Sequence, residues 1–199
     1  MNGIILAGGQ SLRFGEDKAF VKVRDSILIE SLISLMTSLF DNLIIVTNYP
    51  DKYSGYQVQL IRDKIKGVGP LGGIYAGLLA SDAEFNFITA CDMPFINAEL
   101  VKYMKKTARS DVLVPSHAGK LEPLCAVYSK NCIPLIERQL RAGDYKIQNF
   151  FPEAEVEMVD EETIKKYDPA KATFLNLNTK KDLARVDACL KKHRSYASS

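Results

Sequence analysis

Through the first half of this chain, short apolar runs alternate with segments of helical period, and each run gives way to a glycine or a polar residue. The runs are Ile4 to Ala7, Leu43 to Val46, Val58 to Arg62 and Phe85 to Ala90. Between them, apolar residues at 28, 32, 35, 36 and 39 share one helical stripe, which predicts a helix from about Ser26 to Phe40. Gly73 to Ala80 and Asn97 to Thr107 read as two more helices. Parallel strands need a crossover that a helix can fill. Regular alternation of this kind therefore predicts the α/β class: a three-layer, mainly parallel, Rossmann-like sheet with helices on both faces.

After Val112 to Pro115 the rhythm changes. Pro123 to Tyr128 reads as a strand and Ile133 to Ala142 as a helix stopped by Gly143. Val156 to Val159 and Thr173 to Leu175 read as short late strands. A last helix takes Asn178 as its N-cap and aligns Leu183, Val186 and Leu190. The Lys191 to Ser199 tail is polar and is expected to fray. With 199 residues, 47% of them hydrophobic, and no repeat or linker, one core is expected. The expectation is a single domain over 1–199, with halves of about 1–110 and 111–190.

Charge narrows the function classes. The 26 basic and 24 acidic residues are scattered, leaving a net charge of +2 and no basic stripe for a nucleic acid. Ile4 to Ala7 is too short for a signal peptide, and no run approaches the ~20 apolar residues of a membrane span. A cytoplasmic protein without a membrane partner is expected. Cys91, Cys125, Cys132 and Cys189 lack C-x-x-C spacing, and only His117 and His193 could join them around zinc. Buried, reduced thiols are the reading for all four, including Cys91, which no histidine is placed by sequence to activate.

The first strand runs into Leu6-Ala7-Gly8-Gly9-Gln10-Ser11-Leu12-Arg13-Phe14-Gly15-Glu16-Asp17-Lys18. Gly8 and Gly9 let backbone N–H groups approach phosphate oxygens, while Arg13 and Lys18 bring cations to the same anion. The Walker pattern is absent, since Ala19 follows Lys18 where a hydroxyl residue would meet Mg²⁺. In open parallel sheets, ligands bind beyond the carboxyl ends of the strands. Asn48, Asp63 and Asp92 follow three such ends, and the glycine loop leaves a fourth.

A strand-end carboxylate such as Asp92 suits Mg²⁺, which takes one or two carboxylates with waters and phosphate oxygens. As a plain turn residue before Met93-Pro94 it reads equally well. Asp63 offers two acceptors, matching guanine's N1–H and exocyclic amine or the ribose hydroxyls, and Asn48 both donates and accepts. Both also fit ordinary strand-end turns. Gly67-Val68-Gly69-Pro70-Leu71-Gly72 satisfies G-x-G-x-x-G, but Asp63 to Lys66 separate it from its strand and Pro70 removes a backbone donor. A dinucleotide site is not read from it.

The Leu6 to Ala19 wording, L-A-G-G-x-S-x-R-x-G-x-D-K-A, resembles the nucleotide loop of the molybdenum cofactor guanylyltransferases, within the nucleotide-diphospho-sugar transferase-like nucleotidyltransferases. Gly69 to Ile74, Cys91 to Phe95, and Asn176 to Thr179 with Asp182-Leu183 agree in order. The resemblance implies transfer of GMP from GTP to the phosphate of molybdopterin, with loss of pyrophosphate. It implies nucleotide contacts from Leu6, Ala7, Gly8, Gly9, Lys18, Asn48, Asp63 and Asp92, catalytic work by Arg13, Lys18 and Asp92, and Mg²⁺, or Mn²⁺, on Asp92.

In the second half, the resemblance places the pterin near Glu122-Pro123-Leu124, Gly143-Asp144, Asn176 and Asn178. Asn178 also serves as a plain N-cap. Gly72 stands where alanine is more familiar, a departure expected to be sterically harmless. A monomer is expected, with transient contact to molybdenum-insertion proteins or molybdoenzymes. The nearest rival is a cytidylyltransferase acting on the same pterin or on a sugar or isoprenoid phosphate, whose loop more often resembles L-A-A-G. A non-catalytic nucleotide-binding adaptor and a nicotinamide oxidoreductase are the other classes; the Arg13, Lys18 and Asp92 set disfavours both.

Overall fold

The computed structural model describes residues 1–8, 18–23, 26–63, 65, 67–177 and 182, with side chains omitted at 18 and 23. Its strands are β1 (Asn2–Leu6), β2 (Lys22–Val23), β3 (Ser26–Ile27), β4 (Leu43–Val46), β5 (Gln59–Ile61), β6 (Phe85–Ala90), β7 (Val112–His117), β8 (Lys120–Leu121), β9 (Cys125–Ser129) and β10 (Val156–Val159). Its helices are α1 (Leu28–Leu39), α2 (Pro70–Ala80), α3 (Ala98–Thr107), α4 (Cys132–Arg141) and α5 (Glu161–Tyr167).

Seven strands form the order β10-β7-β9-β6-β1-β4-β5, with β8 attached to β7, while β2 and β3 make a separate hairpin. The β6-β1-β4-β5 half is parallel, and β9 runs antiparallel between β6 and β7. The mainly parallel α/β sheet is thus present, with β9 reversed inside it and the short β8 antiparallel to β7.

Period-2 alternation divides the core between the two faces. Ile5, Ile45, Phe87, Leu113 and Val127 pack on the side of α1, α3 and Ile164 of α5. Ile4, Leu6, Ile44, Val46 and Ile88 face the opposite way, against Leu71, Ile74 and Leu78 of α2 and Ile136 of α4. Every residue of β1 and β4 is buried, as expected for parallel strands covered on both faces.

Local signals explain the boundaries. Asn97 caps α3, its side-chain oxygen accepting from Glu99 N–H at 2.8 Å and Leu100 N–H at 3.3 Å. Gly143 follows α4 with φ of 74°. The helix expected from Ser26 begins at Leu28, because Ser26 and Ile27 pair with β2 instead.

Thr173 to Leu175 is not a strand. Ala172–Phe174 is a 3-10 turn, for which Asp168 Oδ2 accepts the Thr173 N–H at 3.0 Å and Lys171 adopts φ of 52°. Local side-chain bonding and a left-handed residue outweigh the β preference of Thr and Phe there. The final helix predicted after Asn178 lies outside the described residues, apart from helical Asp182.

Cys125 and Cys132 are buried thiols, and burial pushes both up in pKa, Cys132 to about 12. Cys91 is only half-buried, because it sits just past the end of β6, and Cys189 is outside the described residues. No helix among the described residues is long and apolar enough to cross a membrane.

Candidate functional site

The register of the parallel strands brings the predicted polar ends to one rim. Leu6 of β1 pairs with Val46 of β4 and Ala90 of β6, and Val46 pairs with Ile61 of β5. The residues just beyond are therefore neighbours across the sheet, in the spatial order Asp63, Asn48, Gly8, Asp92. Strands lie about 4.8 Å apart, so this row spans about 14 Å. All four residues are half-buried.

Backbone bonds extend the pairing past the strands. Ala7 N–H donates to Val46 O at 2.8 Å, Thr47 N–H to Ile61 O at 2.9 Å, and Cys91 N–H to Leu6 O at 3.0 Å. A Cβ built on Gly8 would meet Asn48 Nδ2 at 3.7 Å, so the Asn48 amide lies over the open side of Gly8 where the glycine loop departs. The chain winds outward from β1 through β4 to β5 and then crosses back to β6 on the other side of β1. The strand order therefore switches between β1 and β6, which is where sheets of this kind hold ligands.

Asp63 keeps its carboxylate near α2. Oδ1 accepts the Ile65 N–H at 3.1 Å; burial raises its pKa above the ordinary aspartate range, and that bond opposes the rise. Asp92 lies at the switch point, and no group of three His, Cys, Asp or Glu side chains gathers into a metal cluster among the described residues. The Asp92 carboxylate, at the end of β6, fits Mg²⁺, which binds through few protein ligands and fills its octahedron with water and phosphate. It does not resemble a closed all-protein cage.

The second half reaches the same rim. The antiparallel pairing of Thr89 with Cys125 puts Glu122, Pro123 and Leu124, which lead into β9, beside the end of β6. Glu122 is half-buried; burial raises its pKa, opposed by the charges of His117 and Lys120. Leu177 N–H donates to Asp92 O at 2.9 Å, and its neighbour Asn176 is exposed. Gly143-Asp144 forms the turn after α4, where Asp144 accepts from Lys146 N–H at 3.1 Å and Asn149 Nδ2 at 2.7 Å. Gly9, Arg13 and Asn178 lie outside the described residues, as does the side chain of Lys18, whose backbone opens a 3-10 turn over Lys18–Phe20.

Residues 3–158 match the family model of the MobA-like NTP transferase domain. The chain belongs to the MobA-like NTP transferase family. A molybdenum cofactor guanylyltransferase of Desulfosudis oleivorans is 37% identical over 98% of both chains. One from Syntrophotalea carbinolica is 33% identical, over 92% of this chain and 89% of its own. Among solved structures, the molybdopterin-guanine dinucleotide biosynthesis protein A of Archaeoglobus fulgidus superposes with a TM-score of 0.84 at 29% identity, covering 96% of this chain and all of that one. The fold of this NTP transferase also matches the inositol-1-phosphate CTP transferase of T. maritima, at a TM-score of 0.67 and 13% identity.

Sequence reading missed one support of the transferase rim. Thr47 is fully buried; its Oγ1 donates to Ala7 O at 3.0 Å and accepts the Tyr49 N–H at 3.1 Å. It ties the start of the glycine loop to the Asn48 turn. A lone hydroxyl ending the apolar Leu43 to Val46 run was the available signal.

Proposed function

We propose that this NTP transferase is a molybdenum cofactor guanylyltransferase, moving GMP from GTP to the phosphate of molybdopterin and releasing pyrophosphate. The observation that carries this reading is the row Asp63, Asn48, Gly8, Asp92 across four adjacent strand ends, in a chain whose full-length relatives bear that name.

A phosphate monoester needs little activation, since its second pKa is about 6 and it is mostly dianionic at neutral pH. No general base is required. The protein's work is to align the reactants and to offset negative charge. Asp63 and Asn48 read the base and ribose, while the backbone at Leu6, Ala7, Gly8 and Gly9 approaches the phosphates. Arg13 and Lys18 oppose the charge that grows on the departing pyrophosphate. Asp92 would hold Mg²⁺, with Mn²⁺ as a substitute, and the ion would supply Lewis-acid polarisation of the phosphates. Asn176, Asn178 and the Glu122 approach to β9 offer amide and carboxylate partners to the pterin.

We assign the reaction to the cytoplasm, a compartment that keeps thiols such as Cys125 and Cys132 reduced. A monomer, folded as one domain, fits the wide spacing along the chain of Tyr49, Leu79, Tyr145 and Met158, the exposed large apolar residues among those described. Contact with molybdenum-insertion proteins or molybdoenzymes is then transient.

The test is pyrophosphate release with molybdopterin and GTP or CTP, paired with thermal shifts. A ligand at a hundred times its dissociation constant stabilises by ~2.7 kcal/mol. Turnover with GTP is the expected result. Turnover with CTP alone would establish the cytidylyltransferase, and binding without pyrophosphate release would establish an adaptor.

A further inference from the structure

Val68 and the Asp63 carboxylate both close on Gly72, in the first turn of α2. Gly67 and Gly69 flank Val68 with φ of 83° and 66°, a region side chains rarely adopt, and between them Val68 is 5% exposed. Gly69 then caps α2, with Pro70 in its first turn. A Cβ built on Gly72 would lie 2.4 Å from Val68 Cγ2, 3.2 Å from Asp63 Oδ1 and 3.3 Å from Asp63 Oδ2.

The first separation is one that real Cβ atoms do not show, and the other two are tight. The hydrogen position of Gly72 thus serves two neighbours at once. Val68 fills the volume a methyl at position 72 would claim, and the Asp63 carboxylate rests against the same place with both oxygens. Oδ1 is engaged by the Ile65 N–H, which leaves Oδ2 as an acceptor without a hydrogen bond among the described residues.

We propose that Val68 and Gly72 are a matched spacer that positions the Asp63 carboxylate for the nucleotide base, making both of them positioning residues for nucleotide recognition in this chain. The proposal rests on the reading of Asp63 as a nucleotide contact. Its physical content is that either residue changed alone displaces Asp63, while changing both together, a methyl at position 72 against a truncated Val68, restores the fit. Misplacement of a binding group by a fraction of an ångström is costly because hydrogen bonds weaken steeply away from their preferred geometry. Helix propensity would favour Gly72→Ala, so a loss of binding there cannot come from the backbone preference of α2.

The experiment is a double-mutant cycle on the full chain, using Gly72→Ala, Val68→Ala and the two combined. GTP and CTP dissociation constants, turnover at saturating nucleotide and the Asp63 carboxyl titration by ¹³C NMR are read for each. Gly72→Ala is expected to weaken GTP about tenfold with turnover at saturation kept, Val68→Ala to weaken it severalfold, and the double variant to return within about threefold of the parent, since one decade corresponds to ~1.4 kcal/mol. Unchanged GTP affinity in Gly72→Ala, or a double variant no better than the worse single, overturns the spacer.

Should Gly72→Ala fail to fold, Val68→Ala decides, and parental affinity in that variant overturns the proposal. A parent protein that binds neither nucleotide refutes the functional reading instead. The carboxyl titration then judges the spacer: displaced in Gly72→Ala and restored in the double variant if it holds, unmoved in both if it does not.

Discussion

The backbone N–H of Leu177 donates to the carbonyl oxygen of Asp92 at 2.9 Å, joining two segments far apart in the chain. Nearby bonds extend the tie: Thr173 Oγ1 accepts the Asn97 N–H at 2.9 Å, and buried Asp168 accepts the Thr173 N–H. The segment proposed for the pterin is thus strapped beside the acid proposed for the metal. An acceptor substrate held by one would lie next to the nucleotide phosphates held by the other.

Leu177→Pro removes the donor of that bond and leaves the Asp92 carbonyl without it. Loss of one buried partner costs ~1–3 kcal/mol, so turnover should fall by roughly 5- to 150-fold if the strap sets Asp92 for catalysis. Single-turnover rates and GTP affinity, measured separately, check this. Unchanged turnover would reduce the contact to a fold element.

Asp92→Ala should abolish most turnover, by more than about a hundredfold, since it removes the carboxylate proposed to hold the ion. Lys18→Ala should cost roughly 10- to 150-fold in turnover, the worth of one charge-assisted contact of ~1.5–3 kcal/mol. Steady-state kinetics at saturating GTP and Mg²⁺ read both. Near-normal turnover of Asp92→Ala removes it as the metal ligand, and a loss confined to affinity removes Lys18 from transition-state stabilisation.

Thr47→Val keeps the shape of a fully buried side chain but deletes a donor to Ala7 O and an acceptor for Tyr49 N–H. A stability loss of ~1–3 kcal/mol in urea unfolding is expected, with a raised KM for GTP. Thr47→Ser should keep most of both. A Thr47→Val variant of parental KM would show that the glycine loop does not depend on this tie.

Asp63 supplies the pH prediction. Burial raises its folded-state pKa, so the folded state favours the protonated acid more than the unfolded chain does. The stabilisation from this group is fully present below the unfolded carboxylate pKa and is lost as pH rises through the folded value. Asp63→Asn should therefore be more stable than the parent at neutral pH, with the gap closing in acid, while GTP binding falls because one acceptor becomes a donor. Thermal melts and GTP titrations across the acid range check it; a parent that gains stability relative to Asp63→Asn with rising pH contradicts the sign.

Much of the fold was legible because its strands are short apolar runs with clean ends. Leu43–Val46, Phe85–Ala90 and Val156–Val159 occur as read from the sequence. Thr173 to Leu175 was misread because composition there favours a strand while the nearest bonding partner, Asp168, favours a turn. Cys91 likewise reads as buried beside Ala90, yet the strand ends one residue earlier and leaves it half-buried.

The amino-acid sequence by itself determined the α/β alternation and the four strand-end positions, because periodicity and punctuation are local properties that survive without knowledge of neighbours. Only the tertiary structure decided that Thr47 holds Ala7, that Val68 and the Asp63 carboxylate both close on Gly72, and that Leu177 reaches Asp92. Those contacts join residues through packing across the sheet and around its rim, and spacing along a chain carries no measure of distances set by the close fit of segments that meet only after folding.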